Sequence, residues 1–220
     1  KFCPSCLEAW SDSLKARALR SIRGIPPTDL RHLVLTIPNP ETGDLARGME
    51  QLFRSWREWR NEGRREGKSR KPWWTVDGCA SKLEVHWSAR AGWHPHIHAI
   101  VHAHGGVPLT RNSPGRQAWS SISGRYGPPA SEARGIYISA PKNAVNAAEE
   151  VTKYAAKPIP LRGLPPERIA ELSSAAHGRR WHASSGTLSL GPAREPSEKD
   201  LEFLGIAGAL IAQHLYGATS

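Results

Sequence analysis

An α+β fold is predicted by three observations: four short β-rich runs, two helix-patterned segments between them, and a strict alternation of imidazole and apolar side chains in one run. The order is β-α-β-β-α-β. Four strands in that order suit a central antiparallel sheet with helices on one face, the ferredoxin-like pattern. The first strand is Leu33-Val-Leu-Thr-Ile37, stopped by Pro38-Asn-Pro40. Residues 44–60 follow, with Leu45, Met49, Leu52, Phe53, Trp56 and Trp59 at helical spacing. Residues 60–71 hold six basic and two acidic residues with two glycines, and read as a solvated basic loop. Strands are expected around 80–87 and 94–101, joined by a hairpin at Ser88-Ala-Arg-Ala-Gly92. A short helix at 114–122 and a fourth strand at 135–139 complete the core. Residues 143–157 then read as a further helix ending before Pro158. The last third starts a helix near Pro165-Pro166 and continues as a Gly/Arg/Trp/His-rich stretch without clear periodicity.

The chain has 220 residues, enough for one good-sized domain with additions. Hydrophobic residues make up 39%, adequate for a folded core, so wholesale disorder is not expected. Lys and Arg number 30 against 20 Asp and Glu, a formal balance of +10 that argues for a polyanionic partner. No apolar run approaches the roughly 20 residues needed to span a bilayer, which favours nucleic acid over a membrane. Nothing at the start has the apolar core of a signal peptide, so the expected compartment is the cytoplasm. Three cysteines cannot make a disulfide framework. Cys3 and Cys6 read as half of a zinc ribbon that an upstream pair would complete, with ordinary thiols or a redox pair as alternatives.

His94-Pro-His-Ile-His98 is the sharpest feature. Alternation puts His94, His96 and His98 on one face and Ile97, Ala99 and Val101 on the other. Residues two apart have Cα atoms about 6.6 Å apart, close enough for two imidazoles to converge on one ion, whereas the outer pair are about 13 Å apart. A chelating pair plus one extra histidine is therefore expected. In the preceding strand, Lys82, Glu84 and His86 share the polar face, and a hairpin centred near residue 90 sets Glu84 opposite His96. Two imidazoles and a carboxylate suit Mg²⁺ or Mn²⁺, although zinc also takes these ligands. His86 competes with Glu84 for the third place, and a merely histidine-rich surface strand is the bland alternative. His102 and His104 continue the even-numbered face, while His32, His177 and His214 read as packing or surface residues.

Glu150-Val-Thr-Lys-Tyr154-Ala-Ala-Lys157 sets polar groups at i, i+4 and i+7 along one helical side. A tyrosine oxygen can attack phosphorus when a metal polarises the phosphate and a cation matches its charge. Lys157 can be that cation, and Glu150 a general base for a second nucleophile. Taken alone the motif matches any surface side-chain pair; beside the histidine strand it completes a phosphoryl-transfer set. Arg60, Arg64, Arg65, Lys68, Arg70 and Lys71 have the composition of a DNA backbone clamp, and Trp73 or Trp74 could stack a base.

With these motifs the sequence resembles the rolling-circle plasmid replication initiators (Rep proteins) of the HUH endonuclease superfamily. It is most similar to the branch with a Trp-His-Pro-His-x-His metal motif. The resemblance covers residues 3–190. It rests on Cys-Pro-Ser-Cys at 3–6, His-Leu-Val-Leu-Thr-Ile-Pro-Asn at 32–39, Lys-Leu-Glu-Val at 82–85, Trp-His-Pro-His-Ile-His at 93–98 and Glu-Val-Thr-Lys-Tyr-Ala-Ala-Lys at 150–157. Gly-Arg-Arg-Trp at 178–181 and Ser-Gly at 185–186 also fit.

The resemblance implies a HUH fold with a nucleophile-bearing helix after the core. It implies His96 and His98 as the metal pair, Glu84 as third ligand, Tyr154 as the residue joined to DNA, and Glu150 as a termination residue. Three parts are expected: a zinc-ribbon-like remnant at 1–25, a nicking-and-joining domain at 30–160, and a C-terminal extension at 161–220. The implied function is initiation at a plasmid double-strand origin, through a 5′-phosphotyrosyl link that leaves a 3′-OH primer. The partners are origin and single-stranded DNA, a host helicase and a DNA polymerase, with a homo-oligomer open; structural Zn²⁺ at the cysteine pair is expected only in a full-length protein that adds the upstream cysteines. A transposase on the same catalytic domain and a non-catalytic DNA-binding repressor are the alternatives.

Overall fold

The computed structural model describes residues 17–64, 76–103, 114–142, 146, 164–179 and 182–189. Five strands form one antiparallel sheet: β1 (Leu30–Thr36), β2 (Val76–Ser88), β3 (Gly92–Ala103), β4 (Ile136–Ser139) and β5 (His182–Gly186). The helices are α1 (residues 17–22), α2 (Leu45–Arg64), α3 (Pro114–Ser123) and α4 (Pro166–Ala176). The strand order is β4-β1-β3-β2-β5. β3 pairs antiparallel with both β1 and β2, so those two run parallel with β3 inserted between them. That split β-α-β arrangement is compatible with the ferredoxin-like expectation. Among the described residues, no helix is long and apolar enough to cross a membrane.

Three details depart from the sequence reading. The strands of the β2–β3 hairpin are longer at both ends than expected, 76–88 and 92–103. The second helix runs on to Arg64, so Arg60 to Arg64 are helical rather than loop. A fifth strand, β5, pairs with β2 from Gly78↔Gly186 to Lys82↔His182. Its sequence, His-Ala-Ser-Ser-Gly, carries no apolar alternation because it is an edge strand with exposed side chains.

The helical layer forms because α2 has one continuous apolar stripe. Leu45, Met49, Leu52, Trp56 and Trp59 recur at steps of four and three, and all are buried. They meet the odd-numbered face of the sheet, including Leu33, Leu35, Leu83, Val85, Ile97 and Ala99, together with Trp119 and Ile122 of α3 and Leu172 and Ala175 of α4. Each such side chain contributes about 1.5–3 kcal/mol by leaving water. Two of the buried indoles are hydrogen-bonded as well as packed: Trp59 Nε1 donates to Gly115 O at 2.7 Å, and Trp119 Nε1 to Thr36 O at 2.9 Å. Glu171 of α4 caps α2 from a distance, its Oε1 accepting from the backbone N–H of Gly43 at 2.9 Å and Leu45 at 3.2 Å.

The even-numbered face is divided. At one end α1 covers it, with Ala18, Leu19 and Ile22 packed on Leu30, Ala80, Ile100 and Leu188. The other end carries the histidines. Gly92 takes φ +69 as it closes the β2–β3 hairpin. Gly186 takes φ +61 beside the Asp77 carbonyl, which a Cβ would meet at 1.9 Å, so only glycine fits there.

Candidate metal centre

The hairpin register sets Glu84 directly opposite His96 and His86 opposite His94. Opposed residues share a face, so these four side chains and that of His98 project from the same side of the sheet. The Glu84 carboxylate is their common centre. Its Oε2 lies 3.0 Å from His96 Nε2 and 2.8 Å from His98 Nε2, and its Oε1 lies 2.7 Å from His86 Nε2. Glu84, His96 and His98 are all buried, whereas His86 is exposed.

Glu84, His86 and His96 offer donor atoms that all lie within 4.8 Å of one another, a group that could hold a metal ion. The spacing suits one. A metal bonded at about 2.0–2.2 Å to two donors at right angles holds those donors about 3 Å apart. The hydrogen-bond logic points the same way. His96 Nδ1 lies 3.2 Å from the His94 carbonyl oxygen, so Nδ1 must carry the proton. Its Nε2 then faces the Glu84 oxygen at 3.0 Å, another acceptor. A neutral imidazole cannot donate at both nitrogens, and either a second ring proton or a cation beside Nε2 resolves the conflict. Donation of the distal N–H to a backbone carbonyl is also how metal-bound histidines are held in orientation. The residues present therefore fit a divalent metal.

Electrostatics keep the carboxylate ionised. Burial pushes the Glu84 carboxyl up, but the contacts with His96 and His98 and the charges of His96 and His86 outweigh it and hold it well below the usual carboxylate range. His94 is pushed down, first by burial and then by His96 and His86.

Two residues beside the group had no such role in the sequence reading, which took His32 for a packing or surface residue and Asn39 only as part of the 32–39 motif. His32 Nε2 lies 3.2 Å from His98 Nδ1, with the rings stacked at 8° between planes. Asn39 donates from Nδ2 to the Ala91 carbonyl at 2.8 Å, which leaves its Oδ1 to accept from His94 Nδ1 at 2.7 Å. Alternation from Thr36 and Val34, which oppose His96 and His98, puts His32 on the same face. Asn39 follows the strand end directly and carries no such signal.

The other expected residues divide. Arg60 sits on α2 with its guanidinium carbon 4.9 Å from the Trp56 ring centroid. Arg64 ends α2. His102 lies away from the metal group and bonds Thr187 Oγ1 at 2.9 Å. Tyr154, Glu150, Lys157, Arg65, Lys68, Arg70, Lys71, Trp73, Trp74, His104, Cys3 and Cys6 lie outside the described residues. One further side chain stands on the metal face. Tyr137 of β4 opposes Val34, which opposes His98, and it is 60% exposed, the only large hydrophobic side chain so exposed among the described residues.

No family model matches this chain, and neither does any curated protein or solved structure.

Proposed function

We propose that this chain is a metal-dependent, site-specific single-strand DNA endonuclease and strand transferase of the HUH type that initiates rolling-circle replication at a plasmid origin. The observation that carries this reading is the Glu84 carboxylate held among His86, His96 and His98 on the histidine-bearing end of a split β-α-β-β-α-β sheet. Glu84, His96 and His98 would hold the ion, Mg²⁺ or Mn²⁺, with His86 beside it. The chemistry such an ion supplies is withdrawal of charge from the scissile phosphate oxygens.

The chain's own groups account for the rest. Tyr154 supplies the phenol oxygen that bonds to phosphorus. The bond from phosphorus to the 3′ oxygen breaks, and the phenol proton ends on that oxygen, giving a 3′-OH primer. One phosphoester replaces another, so no nucleotide triphosphate is consumed. Lys157 matches the developing negative charge. Glu150 takes a proton from water in the terminating cut, which frees the 5′ end instead of trapping it. His32 and Asn39 hold His98 and His94 in place while strand and phosphate come and go.

The test is incubation with a library of single-stranded oligonucleotides carrying candidate origins, with Mn²⁺, and mapping of every protein-linked 5′ end. A single preferred cleavage position supports the reading. A library left intact under these conditions, or cut without any protein-linked end, overturns it.

A further inference from the structure

The face opposite the metal group carries a concavity with a different chemistry. It lies between α2 and the β2–β5 edge, with a volume of about 360 Å³. Leu83 and Ile97 line it, and both belong to the odd-numbered core face. Its wall is basic: Arg54, Arg57 and Arg60 from α2, and Arg179 from the segment between α4 and β5. Arg179 is fixed from several sides. Its Nε donates to the Ala175 carbonyl at 3.0 Å, it pairs with Glu50 at 2.8 Å, and its guanidinium carbon lies 5.9 Å from the Phe53 ring centroid.

The carboxylates of α2 are already engaged. Glu50 is met by Arg179, Glu58 by Arg125 and the Tyr126 hydroxyl, and Glu62 by Arg125. Among the described residues, no carboxylate lies within 4.0 Å of Arg54, Arg57 or Arg60. Arg54 and Arg60 lie against the rings of Tyr126 and Trp56, contacts that leave their charge intact. The Arg60 Nε is buried with no hydrogen-bond partner among the described residues. Among the described residues, three guanidinium groups along one helix thus lack the anions that such groups pair with.

We infer that this groove binds the sugar–phosphate backbone of a nucleic-acid single strand, on the side of the sheet away from the metal group. Arg54 to Arg60 spans about 9 Å of helix, enough for the three guanidinium groups to meet successive phosphates of one backbone. In sequence Arg60 is followed by Arg64, Arg65, Lys68, Arg70 and Lys71, so the positive charge continues along the chain. A strand held here is not the stretch presented to Glu84 and His96. The inference stands on charge and shape and does not require the cleavage chemistry.

The test uses the full chain and a fluorescein-labelled oligothymidylate, read by anisotropy across a salt series. The triple variant Arg54→Ala, Arg57→Ala, Arg60→Ala is expected to weaken binding at least about tenfold at 0.1 M salt. Its plot of log affinity against log salt is expected to be shallower by about two, from about 0.7 per phosphate over three contacts. Arg23→Ala with Arg134→Ala serves as the charge control and is expected to change the slope less. His96→Ala is expected to retain the binding, which separates this inference from the nuclease reading. If the alanine variant does not fold, as judged by its thermal transition, Arg54→Gln with Arg57→Gln takes its place. Unchanged affinity and slope overturn the inference. So does an equal loss for poly-glutamate, which would mark a mere charge patch, or a loss confined to duplex DNA.

Discussion

His32 and His98 lie on strands β1 and β3 with their rings nearly parallel, the Nε2 of one 3.2 Å from the Nδ1 of the other. Both are buried. With Nδ1 so engaged, the Nε2 of His98 is aimed at Glu84. His32 therefore acts through His98 as a positioning residue.

Replacement of His32 by alanine is expected to weaken divalent-metal affinity about 10- to 100-fold, the usual cost of losing such an orienting contact. Isothermal titration of Mn²⁺ and Zn²⁺ into both proteins measures it, with the metal-free thermal transition as the control for folding. Equal affinities in two proteins of equal stability would show that His32 merely packs.

Tyr137 is exposed on the metal face, two strands across from His98. On the proposed function, a base of the single strand can stack on its ring, a contact worth about 1–3 kcal/mol. Tyr137→Ala should accordingly weaken single-strand binding about 5- to 150-fold, whereas Tyr137→Phe should retain it. An alanine variant that binds as tightly as the parent, or a phenylalanine variant as weak as alanine, would remove Tyr137 from the strand path.

His182 opposes Lys82 at the start of β5. Burial, and then the charge of Lys82, push its imidazole down to about 4 from an ordinary 6.5. The unfolded chain thus takes up the proton first. The stability at stake is present in full above pH 6.5 and erodes as pH falls from there toward 4. His182→Gln should flatten that acid-side fall in the melting temperature. Parallel curves for the two proteins would contradict the assignment.

The candidate site was legible where local geometry determines it. Once the hairpin is centred near residue 90, strand alternation alone sets Glu84 opposite His96 and puts the odd-numbered partners in the core. The apolar stripe of α2 was equally plain. What escaped is what depends on distant partners. β5 is a polar edge strand whose only instruction is the open side of β2. The last turn of α2 contains Gly63 and a run of charges that mimic a loop. His32 looks like any lone histidine until β3 is laid beside it. The pairing of Glu171 with the start of α2 links residues more than a hundred positions apart, and no local pattern announces it.

On the proposed function, the carboxylate–imidazole group serves a phosphoryl transfer to Tyr154. The most direct test is mass spectrometry of the peptide left joined to DNA after reaction with a cleavable single-stranded oligonucleotide and Mn²⁺. One adduct is expected, a 5′-phosphotyrosyl link at Tyr154, absent with chelator and absent in His96→Ala. An adduct at another residue, or one that forms equally well in His96→Ala, would contradict it.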